Sequence, residues 1–318
     1  MDAGSPLPLH CARLVLAATA ILFITLPRAE ASEEVRGAAP ASTLAAPTRA
    51  ADDEPSAQAG TTARLMADGQ YRVTTRFRSF DGDPLSLGYT LSQASTRQSA
   101  REFGVSVEEL DALMNRCLAT QGCDQRAFDR HTTRYYQTQG LRLSRTAGAP
   151  PKLHVDVAKA VHRNRDRVRP VAHALRRLAA ERGEDERWMR DAAIALVQSG
   201  LIYRQPQTWD EGRQILGFYP PPRALERGYG DCDTKAALLA SILQNLGASR
   251  LIGIHVPKHY LLGIAATPEA GQRYIEYRGQ AYVLVEAAGP AQRPPGQVAP
   301  ATEVALARRD GVRIDPMF

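Results

Sequence analysis

Gly228-Tyr-Gly-Asp-Cys-Asp-Thr-Lys-Ala-Ala-Leu-Leu-Ala-Ser-Ile-Leu-Gln-Asn-Leu-Gly247 reads as one helix with a cysteine at its head. Gly228 and Gly230 permit a tight entry turn. Asp231 is a residue type that caps helix N-termini, and Gly247 suits the left-handed position that ends a helix. Cys232 therefore falls in the first turn. Ala236, Leu239, Leu243 and Leu246 follow it at helical spacing, so the cysteine heads the stripe that faces the core. A thiol at a helix N-terminus feels the positive end of the macrodipole, which favours the thiolate. The competing reading is a small buried hydrophobe, the commonest fate of a free cysteine.

The residues downstream supply partners. Leu251-Ile-Gly-Ile-His-Val256 and His259-Tyr-Leu-Leu-Gly-Ile-Ala265 read as two apolar strands joined by Pro257-Lys258. His255 falls in mid-strand and reads as a core residue. His259 opens the second strand, where a side chain can reach a helix terminus. Arg273-Tyr-Ile-Glu-Tyr277, Arg278-Gly279 and Gln280-Ala-Tyr-Val-Leu-Val-Glu286 read as a hairpin. Glu286 ends an apolar strand, where a carboxylate is costly unless paired. Cys232, His259 and Glu286 thus make a nucleophile, a base and a group that orients the base. A metal site built from Cys232, His255 and His259 lacks a fourth ligand in the sequence, so no metal and no cofactor is expected.

Gly230-Asp-Cys-Asp233 opening an apolar helix, then a histidine on a strand and an acid on the next, resembles the transglutaminase-like superfamily. Tyr219-Pro-Pro-Pro-Arg-Ala-Leu-Glu-Arg-Gly-Tyr-Gly-Asp-Cys232 and Val285-Glu-Ala-Ala-Gly289 are similar to its prokaryotic branch, as is Val197-Gln-Ser-Gly-Leu-Ile-Tyr203. The resemblance spans roughly residues 155–300. It implies an α+β, papain-like core with the cysteine helix packed on an antiparallel sheet. It also implies attack of Cys232 on an amide carbonyl to give a thioester, with His259 passing the proton to the leaving amine and Glu286 fixing the histidine tautomer. Gln198 is the candidate oxyanion donor, together with the Cys232 backbone N–H. Leu261 stands where a tryptophan often follows the histidine of the family, and Glu286 stands for its usual aspartate.

Toward the N-terminus, Arg13 precedes the apolar run Leu14–Leu26, Pro27 and the small-residue cleavage pattern Ala29-Glu-Ala31. This matches a secretory signal cut after Ala31. The run is shorter than the about 20 apolar residues of a comfortable membrane span. The expected location is the periplasm or outside, with membrane contact only if the segment stays uncleaved. Cys117 and Cys123 lie close together and form a disulfide candidate in such a compartment. Cys232 is then left unpaired outside the cytoplasm, which calls for a use.

The chain has 318 residues, 44% of them hydrophobic, and a net charge of +6. The excess is arginine and is scattered rather than gathered in a patch, so nucleic acid is not an expected partner. Residues 32–68 read as a flexible linker rich in Ala, Pro, Ser and Thr. A small mixed region of unknown role follows over 69–150. In it, Tyr71–Phe80 and Leu85–Leu91 flank an Asp81–Pro84 turn, and Ser106 with Glu109 forms a capping box for a helix through Leu118. Ala147–Pro151 marks a boundary, and residues 151–318 form the transglutaminase-like unit, with helices over Val171–Ala179 and Trp188–Val197. The function expected is an exported cysteine peptidase, amidase or acyltransferase acting on protein or peptide amides. It is independent of calcium, since no calcium-loop motif is visible. The alternative is a catalytically silent domain that serves binding or assembly.

Overall fold

The computed structural model describes residues 59–146, 148–248, 250–308 and 311–317. The signal segment 1–31 and residues 32–58 of the expected linker lie outside them. Among the described residues no helix is long and apolar enough to cross a membrane.

β1 (Gly60–Leu65), β2 (Gln70–Arg78) and β3 (Pro84–Ser92) form an antiparallel sheet in that order. In β2 and β3 every second residue is buried: Tyr71, Val73, Thr75 and Phe77 on one, Leu85, Leu87, Tyr89 and Leu91 on the other. That is the period-two pattern of a sheet with one wet face. β1 corrects the linker reading over 60–65, because Thr61 and Thr62 pair with Thr75 and Thr74. The β-branched threonines suit a pleated edge, although the Ala- and Pro-rich run before them looks unstructured.

Three helices follow: α1 (Gln93–Arg101), α2 (Val107–Ala119) and α3 (Gln125–Thr138). Half of the expected capping box forms. Ser106 accepts from the Glu109 N–H, whereas the Glu109 carboxylate turns away to Arg213. Cys117 and Cys123 are disulfide-bonded.

β4 (Leu141–Ser144) and β5 (Lys152–Val155) flank the break at 147–151. The break does not divide the chain into regions 69–150 and 151–318. Among the described residues, 59–143 and 154–317 fall in one compact unit, and 144–153 fall outside it. Within 144–153 the Ser144 hydroxyl donates to the Lys152 carbonyl at 3.3 Å. In the compact unit, Thr61 Oγ1 donates to Gly200 O at 2.8 Å and Tyr71 donates to Glu226 at 2.8 Å. A Cβ on Gly200 would lie 2.5 Å from Thr75 Cγ2. The buried Arg213 guanidinium donates to Phe103 O and Gly104 O as well as to Glu109. Residues 60–143 therefore share one core with the rest of that unit.

α4 (Val157–Asn164), α5 (Arg169–Arg182) and α6 (Glu186–Gly200) come next, α5 and α6 covering the two expected helices. Four two-residue strands follow in the surrounding loops: β6 (Ile202–Tyr203), β7 (Trp209–Asp210), β8 (Arg213–Gln214) and, after α7 (Pro221–Arg227), β9 (Tyr229–Gly230). The cysteine helix is α8 (Cys232–Asn245). β10 (Leu251–Val256), β11 (His259–Ala265), β12 (Tyr274–Tyr277), β13 (Gln280–Val285) and β14 (Arg313–Pro316) make an antiparallel sheet ordered β12-β13-β11-β10-β14. α9 (Pro300–Ala307) lies between β13 and β14 in sequence.

The result is a mixed architecture of helices and strands whose two larger sheets are antiparallel, in which α8 packs against β11, α4, α5, α6 and α7. Residues Thr234–Leu243 of α8 are all buried. A helix enclosed on every side needs no polar face, so the single apolar stripe expected of it is too narrow a description. The β12–β13 turn carries Arg278 at φ 51° and Gly279 at φ 73°. These are the two positive angles of the hairpin turn whose twist matches paired strands.

Candidate active site

Cys232 occupies the first turn of α8 and is partly buried. The backbone N–H groups of Tyr260 and Asp233 lie near its Sγ and favour the thiolate. The first of these sets the sulfur near the head of β11, whose opening residue is His259. The helix start thus meets the strand on which α8 packs.

His259 Nε2 lies 2.7 Å from Glu286 Oε2. Glu286 directly follows β13, and β13 pairs with β11, so the ladder that joins Leu262 to Val285 also brings the acid beside the histidine. The other carboxylate oxygen, Oε1, accepts from Thr302 Oγ1 at 2.7 Å and from the Ala299 N–H at 3.1 Å. Ala299 is the N-cap of α9, so the carboxylate rests at the positive end of a helix. Burial pushes Glu286 up. The hydrogen bond and charge of His259, then Thr302 and Ala299, outweigh it and hold the acid below its ordinary value. A carboxylate accepting from Nε2–H fixes the tautomer and leaves Nδ1 as the basic ring nitrogen.

The electrostatics of the thiol differ from the expectation. Burial, then the charges of Asp233 and Asp231, push Cys232 up to about 12, despite the helix terminus. Asp233 is itself raised well above the usual carboxylate value by burial and by Asp231. Asp231 sits at the N-cap, but its side chain caps nothing, and its Oδ1 has no hydrogen-bond partner among the described residues. The cap expected of Asp231 is thus absent, while Asp233 Oδ1 accepts from the Thr234 N–H at 2.8 Å.

Gln198 does not serve as the expected oxyanion donor. It is 1% exposed. Its Nε2 donates to Glu286 O at 2.7 Å and to Arg293 O at 2.9 Å, and its Oε1 accepts from the Arg293 N–H at 2.9 Å. Both amide hydrogens are therefore spent on the segment that carries Glu286. The position near the end of α6 was legible; the direction of the amide depends on a chain segment far away in sequence.

Lys235 is a further part of this assembly. Its ammonium is fully buried and donates to Gln198 O at 3.1 Å, Leu201 O at 3.0 Å and Ala288 O at 2.5 Å. Burial pushes its pKa down to about 7, yet three carbonyl acceptors are matched by the three hydrogens of an ammonium. Lys235 thus pins the end of α6 and the segment after Glu286 to the cysteine helix. The available signal was a lysine embedded among Ala and Leu residues of a buried helix. Gly289 completes the clamp at φ 66°, where a Cβ would collide with the Gln198 carbonyl.

His255 takes no part in the His259–Glu286 pair. It is half-buried beside Tyr260, its ring centroid 6.4 Å from that of the tyrosine, and burial followed by Arg313 lowers its pKa. Among the described residues no group of three or more His, Cys, Asp and Glu side chains could hold a metal ion. Compared with known proteins, the chain matches no protein-family model, no curated protein sequence and no solved structure.

Proposed function

We propose that this chain is an exported cysteine-nucleophile hydrolase or acyltransferase acting on protein or peptide amides, with a papain-like, transglutaminase-like core. The observation that carries the reading is the 2.7 Å contact between His259 Nε2 and Glu286 Oε2, beside β11, the strand on which the cysteine helix packs. An oriented imidazole next to a thiol is the arrangement that makes a nucleophile by removing its proton.

In this reading His259 takes the thiol proton as Sγ attacks, so the resting thiol need not be ionised. The tetrahedral intermediate collapses to a thioester, and the proton passes from His259 to the departing amine. Water or a second amine then takes the acyl group, and either acceptor suits the same three residues. Glu286 stabilises the imidazolium while this happens.

The second reading is a silent binding or assembly module, and the high thiol pKa is what favours it. A panel of peptide amides separates the two. The enzyme reading expects amine release from at least one member of the panel, abolished in Cys232→Ala. No release from any member, with the protein folded, contradicts it.

A further inference from the structure

We propose that the Tyr203 hydroxyl is the oxyanion donor of the Cys232 site, acting with the Cys232 backbone N–H in the place that Gln198 does not fill. The proposal rests on the acyl-transfer reading above.

Its basis is the short parallel ladder between β6 and β9. Tyr203 stands opposite Gly230 and Ile202 opposite Tyr229, and the pairing continues as the Arg204 N–H donates to Gly230 O at 3.1 Å. Residues opposed in a ladder present their side chains to the same face. A Cβ on Gly230 would run into Thr234 Cγ2, in the first turn of α8. The face shared by Tyr203 and Gly230 is therefore the one that meets the head of the cysteine helix. Gly230 is two residues from Cys232, so the ladder sets the phenol beside the nucleophile.

Other tyrosines nearby are occupied. Tyr219 and Tyr229 bond each other at 2.9 Å, and Tyr260 donates to Asp315 at 3.1 Å. No protein hydrogen bond engages the Tyr203 hydroxyl among the described residues, and Tyr203 is 48% exposed. A donor that is free, open to an incoming carbonyl and next to the thiol is what an oxyanion hole requires. Burial, then the charges of Cys232, Asp231, Asp233 and Glu286, keep the proton on this phenol up to about 12, so it can donate across the whole neutral range.

In the step itself, Sγ bonds to the carbonyl carbon and the π pair moves onto the oxygen. The Tyr203 O–H donates to that oxygen without losing its proton. When the pair returns, the C=O bond re-forms, the C–N bond breaks, and the amine departs with the proton that His259 took from the thiol.

Two reagents isolate this role on the full chain. p-Nitrophenyl acetate acylates Cys232 through a tetrahedral oxyanion and releases p-nitrophenolate. Iodoacetamide alkylates the same sulfur by displacing iodide, with no oxyanion. Tyr203→Phe should slow acetylation of Cys232 by about 100-fold, the loss typical of removing one such donor, and leave alkylation within about twofold, a normal alkylation rate also reporting an intact site. Unchanged acetylation overturns the proposal. Equal losses in both reactions also overturn it, since they place the phenol's effect on the thiol. A wild-type Cys232 that is alkylated but never acetylated defeats the acyl-transfer reading itself, and this proposal falls with it.

Discussion

The Glu286 carboxylate divides its two oxygens between His259 Nε2 at 2.7 Å and Thr302 Oγ1 at 2.7 Å, so the group that holds the imidazole is itself held by the start of a helix. Glu286→Gln keeps the shape and loses the charge that the imidazolium needs. We expect acylation of Cys232 to fall by about 10²- to 10⁴-fold, in the range seen when the acid of a triad becomes an amide. Stopped-flow release of p-nitrophenolate measures it, and a loss below threefold contradicts the role.

Thr302→Ala removes one hydrogen bond to a charged, buried oxygen. Such a bond contributes about 1.5–3 kcal/mol. The variant should lose stability of that order in urea titrations. An unchanged urea midpoint contradicts the clamp.

The lowered pKa of Glu286 has a signed consequence for stability. The unfolded chain binds the proton near the ordinary carboxylate value, and the folded chain binds it only at lower pH. The stabilisation is therefore fully present above that ordinary value and is lost as pH falls through the folded one. Acid titration of stability should be steeper for the wild type than for Glu286→Gln. Superimposable acid limbs contradict this linkage.

Lys235→Met leaves three buried carbonyls, those of Gln198, Leu201 and Ala288, without their donor. An orphaned buried acceptor costs about 1–3 kcal/mol. The loss should reach about 3 kcal/mol or more in chemical denaturation, and a neutral effect contradicts the cage. Gln198→Ala should act through the same clamp. Its main cost is stability, and no selective defect in acetylation relative to alkylation is expected.

The unit that holds residues 59–143 and 154–317 should unfold in a single transition, because Arg213 and Gly200 tie its early and late parts into one core. Circular dichroism and tryptophan fluorescence should give coincident curves. Two separated transitions contradict a shared core.

These features were unevenly legible in the sequence. The alternation of β2 and β3, the Ser106 cap and the residues Cys232, His259 and Glu286 follow from local patterns of periodicity and residue type. The structure brings His259 and Glu286 into contact and sets the sulfur of Cys232 near the residue after His259. What local pattern could not reveal depends on partners distant in the chain. Thr61 becomes a strand residue because Thr75 waits opposite it. The Ala147–Pro151 break looks like a boundary until Arg213 is seen reaching back to Phe103 and Glu109. Gln198 is expected to offer its amide to an oxyanion, yet Arg293 and Glu286 take up both of its amide hydrogens. The thiol pKa runs opposite to the helix-dipole expectation because the macrodipole effect is modest, whereas burial and two flanking carboxylates act together on the same sulfur.

Acetylation of Cys232 by p-nitrophenyl acetate at pH 7, followed by peptide mass mapping in the wild type and in His259→Ala, tests the triad most directly. The account predicts a single acetyl group on Cys232 that forms faster than on a free model thiol, with the rate falling by about 10²- to 10⁴-fold when the base is removed. An acetylation rate equal to that of the model thiol, and indifferent to His259, contradicts it.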